Sequence, residues 1–133
     1  MLSNNRSDSL VFLMVLICMF ALPGCGGGTR PELGQVQGTL TIDGRPLPDA
    51  IVVFSPVSGG RQSMGVTDSE GNYKLKYIRQ ITGAKLGHHK ITIKMAAGAK
   101  YRDKIPARYN TQSDLTEEVK PDENVIDFAL TSS

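Results

Sequence analysis

Tryptophan is absent from this chain, and it has only two histidines, two cysteines, four tyrosines and four phenylalanines in 133 residues. Each shortage narrows what the protein can do. The histidines are the neighbours His88 and His89. Adjacent residues of a strand point to opposite faces of a sheet, so the pair cannot hold one metal or work on one substrate together. Without tryptophan, the flat exposed aromatics that sugar-binding sandwiches offer reduce to a few tyrosines. Charge of one sign is also missing: 15 basic against 13 acidic residues give a formal +2, too balanced to mark nucleic acid as a partner. The long apolar run at Leu10–Leu22 ends in Pro23-Gly24, and it is shorter than the roughly 20 residues that a membrane-spanning helix needs.

That run is informative for another reason. Arg6 precedes it and Ala21-Leu22-Pro23-Gly24-Cys25 closes it; an early cation, an apolar stretch and a small residue at a processing site read as a secretory signal. The segment resembles the bacterial lipobox, with Leu22, Pro23 and Gly24 before the cut. The resemblance implies a signal peptide at residues 1–24 and a mature N-terminus at Cys25, acylated and holding the protein to a lipid bilayer. Two or three acyl chains anchor effectively permanently, whereas one binds marginally. A plain secretory signal without lipidation is the rival, because Asp8 dilutes the positive charge of the leader. Cys18 would leave with the signal and Cys25 would be acylated, so no pair remains for a disulfide. Residues 26–34, with three consecutive glycines and no apolar periodicity, have the composition of a flexible tether. A glycine directly after the cysteine is similar to lipoproteins sent on to the outer membrane, which is expected here over the inner one.

Removal of residues 1–24 leaves enough chain for one domain, at 35–131, with one core. Its period is two, with turn residues between short runs. In residues 35–42, Val36, Gly38, Leu40 and Ile42 share one face, and Asp43-Gly44 ends the run. Residues 45–49 carry two prolines and read as a connection. Ala50–Ser55 is apolar on both faces, which predicts a central strand. Residues 61–67 and 72–77 form a hairpin about Asp68–Gly71, with Tyr73, Leu75 and Tyr77 inward. Gly87–Met95 puts His89, Ile91 and Ile93 inward and His88, Lys90 and Lys94 outward. After a weak strand from residue 115, Ile126, Phe128 and Leu130 face inward on a closing strand.

The motifs Asp43-Gly44, Pro46-Leu47, Ala50, Val52, Phe54, then Thr67-Asp68, Gly71 and Tyr73, then Gly87, Ile91 and Ile93 resemble the carboxypeptidase regulatory-like, transthyretin-like domains over about residues 35–95. The resemblance implies an all-β fold, a seven-stranded antiparallel Greek-key β-sandwich, in an envelope lipoprotein. His89 stands where that family commonly has an aromatic residue. Such domains mostly serve as binding or structural modules, and the expectation is a non-enzymatic one without cofactor or metal. The alternatives are a small transthyretin-like hydrolase or an apolar-ligand carrier. The hydrolase branch draws histidines from separate strands and ends Tyr-Arg-Gly-Ser; this chain ends Leu-Thr-Ser-Ser.

Candidate contacts for a partner, an envelope protein or polysaccharide, are few. Lys74, Lys76, Lys90 and Lys94 point outward from strands and form a basic face if their strands are neighbours; lysines also guard sheet edges. Tyr101 and Tyr109 lie in the long connection before Asp114. Asp43, Asp49, Asp68, Glu70, Asp122 and Glu123 fall at turns, where carboxylates cap their own backbone more often than they hold calcium.

Overall fold

A computed structural model of the chain describes residues 30–100 and 105–133; the signal segment 1–24, Cys25, residues 26–29 of the tether and Tyr101 lie outside the described residues. Among the described residues twelve strands follow in chain order: β1 (Leu33–Ile42), β2 (Arg45–Pro46), β3 (Ala50–Pro56), β4 (Ser63–Val66), β5 (Asn72–Lys74), β6 (Lys76–Ile78), β7 (Ile81–Thr82), β8 (Ala84–Lys85), β9 (Gly87–Met95), β10 (Thr116–Val119), β11 (Glu123–Val125) and β12 (Phe128–Leu130). A 3₁₀ turn at Ala107–Tyr109 is the one helical element among the described residues. The strands form two sheets. One gathers β2, β5, β8, β11 and β12 around the long β1, and the other runs β10-β9-β3-β4-β6-β7. The fold is all-β, as the period-two pattern predicts.

Local chemistry explains the turns. Asp43 and Gly44 both have positive φ, 51° and 79°, and they join Ile42 to its partner Arg45 in a two-residue hairpin. Residues 45–49 are therefore not wholly a connection, because Arg45–Pro46 pairs with the end of β1. At Asp68 the carboxylate accepts the N–H groups of Glu70 and Asn72, and the Gly71 N–H donates to the Asp68 carbonyl at 3.0 Å. That is the expected turn.

The segment 72–77 departs from the single strand its alternation suggests. Asn72–Lys74 pairs with β1 in the first sheet, whereas Lys76 pairs with Met64 of β4 in the second. The chain changes sheet at Leu75, whose N–H donates to Val36 and whose carbonyl accepts from Gly83. Crossing here keeps both Tyr73 and Leu75 in the core, while Tyr77 is only half-buried.

Pairing is antiparallel throughout the second sheet, but β11 and β12 run parallel to β1. The expectation of antiparallel strands fails at these two pairs because the C-terminal chain arrives from β10, across the sandwich, and not through a hairpin. Between β11 and β12 the ladder is bridged by a side chain: Asp127 Oδ1 accepts the Thr39 N–H at 2.8 Å. Gly38 makes room for this bulge, since a Cβ there would stand 1.9 Å from the Ile126 carbonyl oxygen.

The core comes from both inner faces. Val36, Leu40 and Ile42 of β1 with Tyr73 and Phe128 meet Ala50, Val52 and Phe54 of β3 with Ile91 and Ile93 of β9. Phe54 and Phe128 meet edge to face at 6.3 Å, and Phe128 stacks on Tyr73 at 6.2 Å. Thr67 serves as an internal clasp, donating to the Leu47 carbonyl and accepting the Ala50 N–H.

Candidate functional site

Register places the outward side chains of the second sheet in rows. Ile51 stands between Lys94 of β9 and Val66 of β4, Val53 between Thr92 and Met64, and Ser55 beside Lys90. Met64 in turn faces Lys76 of β6. The inward residues of the same strands, Ala50, Val52 and Phe54, fill the core, so this second apolar set lies on the opposite face of the sheet. Met64 is 47% exposed and Val66 57%, whereas Ile51 is half-buried and Val53 buried.

Where β4 and β5 part, the strip opens into a shallow cleft of about 570 Å³ whose lining includes Ile51, Met64, Val66, Tyr73, Lys74 and Lys76. A smaller hollow of about 360 Å³ lies on the other side of β5, lined by Gln37, Thr39, Asn72, Val125 and Asp127 among others. Tyr73 borders both. Its hydroxyl donates to the Ile126 carbonyl, and burial, reinforced by the negative charges of Asp127 and Glu117, holds its pKa far above the usual tyrosine range.

The structure brings the four expected lysines to the surface but not into one patch. Lys90 and Lys94 flank the apolar strip on the β9 side and Lys76 on the β6 side, while Lys74 reaches the cleft from the first sheet. All four are exposed. Sequence reasoning missed Ile51, Met64 and Val66 as surface residues. The signal was the double-sided apolarity of Ala50–Ser55, whose second apolar row continues across the register onto Met64 and Val66.

Tyr109 is tied down rather than free. Its hydroxyl accepts the Thr131 N–H at 3.2 Å and lies 3.4 Å from Thr131 Oγ1, and the Arg108 guanidinium sits 4.8 Å from its ring centre. Bonds from Thr131, then from Arg108, lower its pKa to about 8. Arg108 also donates to the Thr131 carbonyl, so the pair clamps the C-terminal strand end.

The histidines behave as strand geometry requires. His88 is exposed and His89 is fully buried, its ring 5.6 Å from that of Phe54. His89 Nε2 lies 2.6 Å from the Lys85 carbonyl, to which it donates, and Nδ1 has no hydrogen-bond partner among the described residues. Of the turn carboxylates, Asp68 caps its own turn as above, Asp43 accepts from Ser132, and Glu70 accepts from the Asn72 amide. Among the described residues no three His, Cys, Asp or Glu side chains gather to hold a metal ion. Nor is any described helix long and apolar enough to cross a membrane. Comparison with known proteins finds no matching family model and no matching curated protein.

Proposed function

We propose that this chain is a non-enzymatic, lipid-anchored envelope protein: a signal at residues 1–24, an acylated Cys25, a glycine tether, and one β-sandwich that works as a binding or structural module. The observation that carries the reading is the core of the described residues, whose buried apolar side chains run from Val36 to Leu130 within one compact unit, Pro31–Ser133. The apolar run ending in Leu22-Pro23-Gly24-Cys25 precedes that unit in the sequence and has the pattern of an export and anchoring segment. If β5 with β6 and β11 with β12 are each counted as one interrupted run, and the two-residue strands are set aside, seven principal strands remain. This count supports the Greek-key, transthyretin-like sandwich that the sequence motifs resemble.

The binding-module reading is favoured over a hydrolase by the histidines, which face opposite sides of β9 and so cannot share a substrate. Mass spectrometry of the mature N-terminus tests the anchor: an acylated Cys25 is expected, and Cys25→Ser should leave the precursor uncut. An unmodified cysteine, or cleavage elsewhere, overturns the anchored reading. Turnover of a ureide or ester substrate, lost in His88→Ala or His89→Ala, would replace the module by an enzyme.

A further inference from the structure

The outer face of the second sheet has a chemistry that holding a fold together does not require. A solvated sheet face normally alternates to polar residues, as β1 does with Gln35, Gln37, Thr39 and Thr41. On β3 and β4 the corresponding positions are Ile51, Val53, Met64 and Val66. Cations stand on both flanks, Lys90 and Lys94 on β9 and Lys76 on β6. None of these three ammonium groups makes a hydrogen bond or ion pair among the described residues. The acidic groups near this face lie at its margins: Glu118 beside His88 on β10 and Asp68 at the far side of the cleft.

We propose that this face docks flat on a bilayer rich in anionic headgroups, with Ile51, Met64 and Val66 entering the acyl boundary and the flanking lysines reaching the phosphates. Charge decides the occupant. A second copy of the chain would set lysine rows against lysine rows, and like charges across an interface repel. A polysaccharide would be met by stacking rings, but the tyrosine that lines the cleft, Tyr73, is 3% exposed. Aliphatic side chains bounded by long-stemmed cations suit the interfacial zone of a membrane, where lysine stems lie along apolar surface and their heads meet phosphate. The proposal deepens the anchored reading, which keeps the domain within tether reach of a bilayer, and rests on it for that encounter.

The test uses the mature protein in vesicles of phosphatidylcholine with or without phosphatidylglycerol, in the variants Val66→Cys and Ala129→Cys. Ala129 is an exposed residue of the other sheet. With Cys18 removed and Cys25 acylated, a thiol-reactive environment-sensitive dye labels only the introduced cysteine. A blue shift at position 66 and none at 129, seen only with phosphatidylglycerol and reversed by salt, is the expected result. Each lysine near an anionic surface favours the docked state about fivefold, so Lys76→Gln, Lys90→Gln and Lys94→Gln together should lower the docked population ratio about a hundredfold. Equal emission at the two positions in an anchored protein overturns the proposal. A shift with an anionic polysaccharide and none with vesicles overturns it in favour of that ligand. Dye uptake by the parent protein would mean that Cys25 is unmodified and would sink the anchored reading alone. The same protein must then still float with phosphatidylglycerol vesicles and not with phosphatidylcholine, or the docking proposal falls as well.

Discussion

The two sheets are alike inside and unlike outside. Both turn fully buried apolar side chains inward, Val36 and Leu40 from β1 and Val52 and Phe54 from β3. Outward, β1 carries glutamine and threonine, whereas β3 and β4 carry isoleucine, valine and methionine. Inner faces are constrained by burial, and so both must be apolar. Outer faces are free of that constraint, so a departure from polarity there asks for a partner. The chain also interrupts its strands in two ways, once by crossing between sheets and once by a bulge within the first sheet. At Leu75 the chain passes over with its backbone groups paired on either side, while at Ile126–Asp127 a carboxylate takes the place of a missing carbonyl.

The largest expected effect strikes the shared interior. Phe54→Ala in the second sheet and Phe128→Ala in the first should each cost about 3–5 kcal/mol in denaturant unfolding, through lost transfer energy and a cavity. If one of them proves near neutral, its sheet does not belong to the common core and the symmetry of the inner faces breaks. Next come the glycines where backbones approach. Gly38→Ala would drive a Cβ to 1.9 Å from the Ile126 carbonyl oxygen, and Gly65→Ala to 2.7 Å from that of Lys74. Both contacts are with backbone, so a cost of about 1–3 kcal/mol or more is expected for each, the larger for Gly38. A stable, unshifted Gly38→Ala domain would refute the parallel pairing of the C-terminal strands.

The clasp at Thr67 should rank below these. Thr67→Val leaves the buried Ala50 N–H and Leu47 carbonyl without their hydroxyl partner, a loss of about 1–3 kcal/mol in thermal or denaturant unfolding. An unchanged midpoint would show that this bond is not made. Tyrosine ionisation followed by ultraviolet absorbance gives a smaller effect that contrasts the two regions. Tyr109 should ionise at about pH 8, whereas Tyr73 should stay protonated until the domain unfolds in alkali. The depressed Tyr109 value favours the phenolate in the folded state. Its contribution to stability is therefore present in full above the ordinary value of 10.0 and is lost as pH falls through about 8. Tyr109→Phe should erase the early step; if the step persists, it belongs to another residue.

The smallest change is expected on the outer faces. His88→Ala and Val66→Thr should each move stability by less than about 0.5 kcal/mol, as exposed positions usually do. His89→Ala, one residue from His88 but fully buried, should cost clearly more. Equal effects at 88 and 89 would overturn the assignment of faces on β9.

Much of this was legible in the chain, and the reason is local. Period-two alternation marks which side of β1 and β9 is buried, and Asp43-Gly44 and Asp68 to Gly71 specify turns that need left-handed backbone or a short capping side chain. His88 outside and His89 inside follow from the same pleat. The site was legible only in part. The lysines were found because charge on a strand points outward, but the apolar strip between them was read as evidence of a central strand.

The sequence by itself thus determined an all-β domain, its turns and the inward faces of its main strands, because each depends on residues close along the chain. The tertiary structure alone decided that the segment 72–77 divides between sheets, that the C-terminal strands lie parallel to β1, and that Met64 and Val66 stand exposed beside β3. Those features depend on which distant strand is the neighbour and in which direction it arrives. A strand's own side chains record burial, but they do not record what buries them.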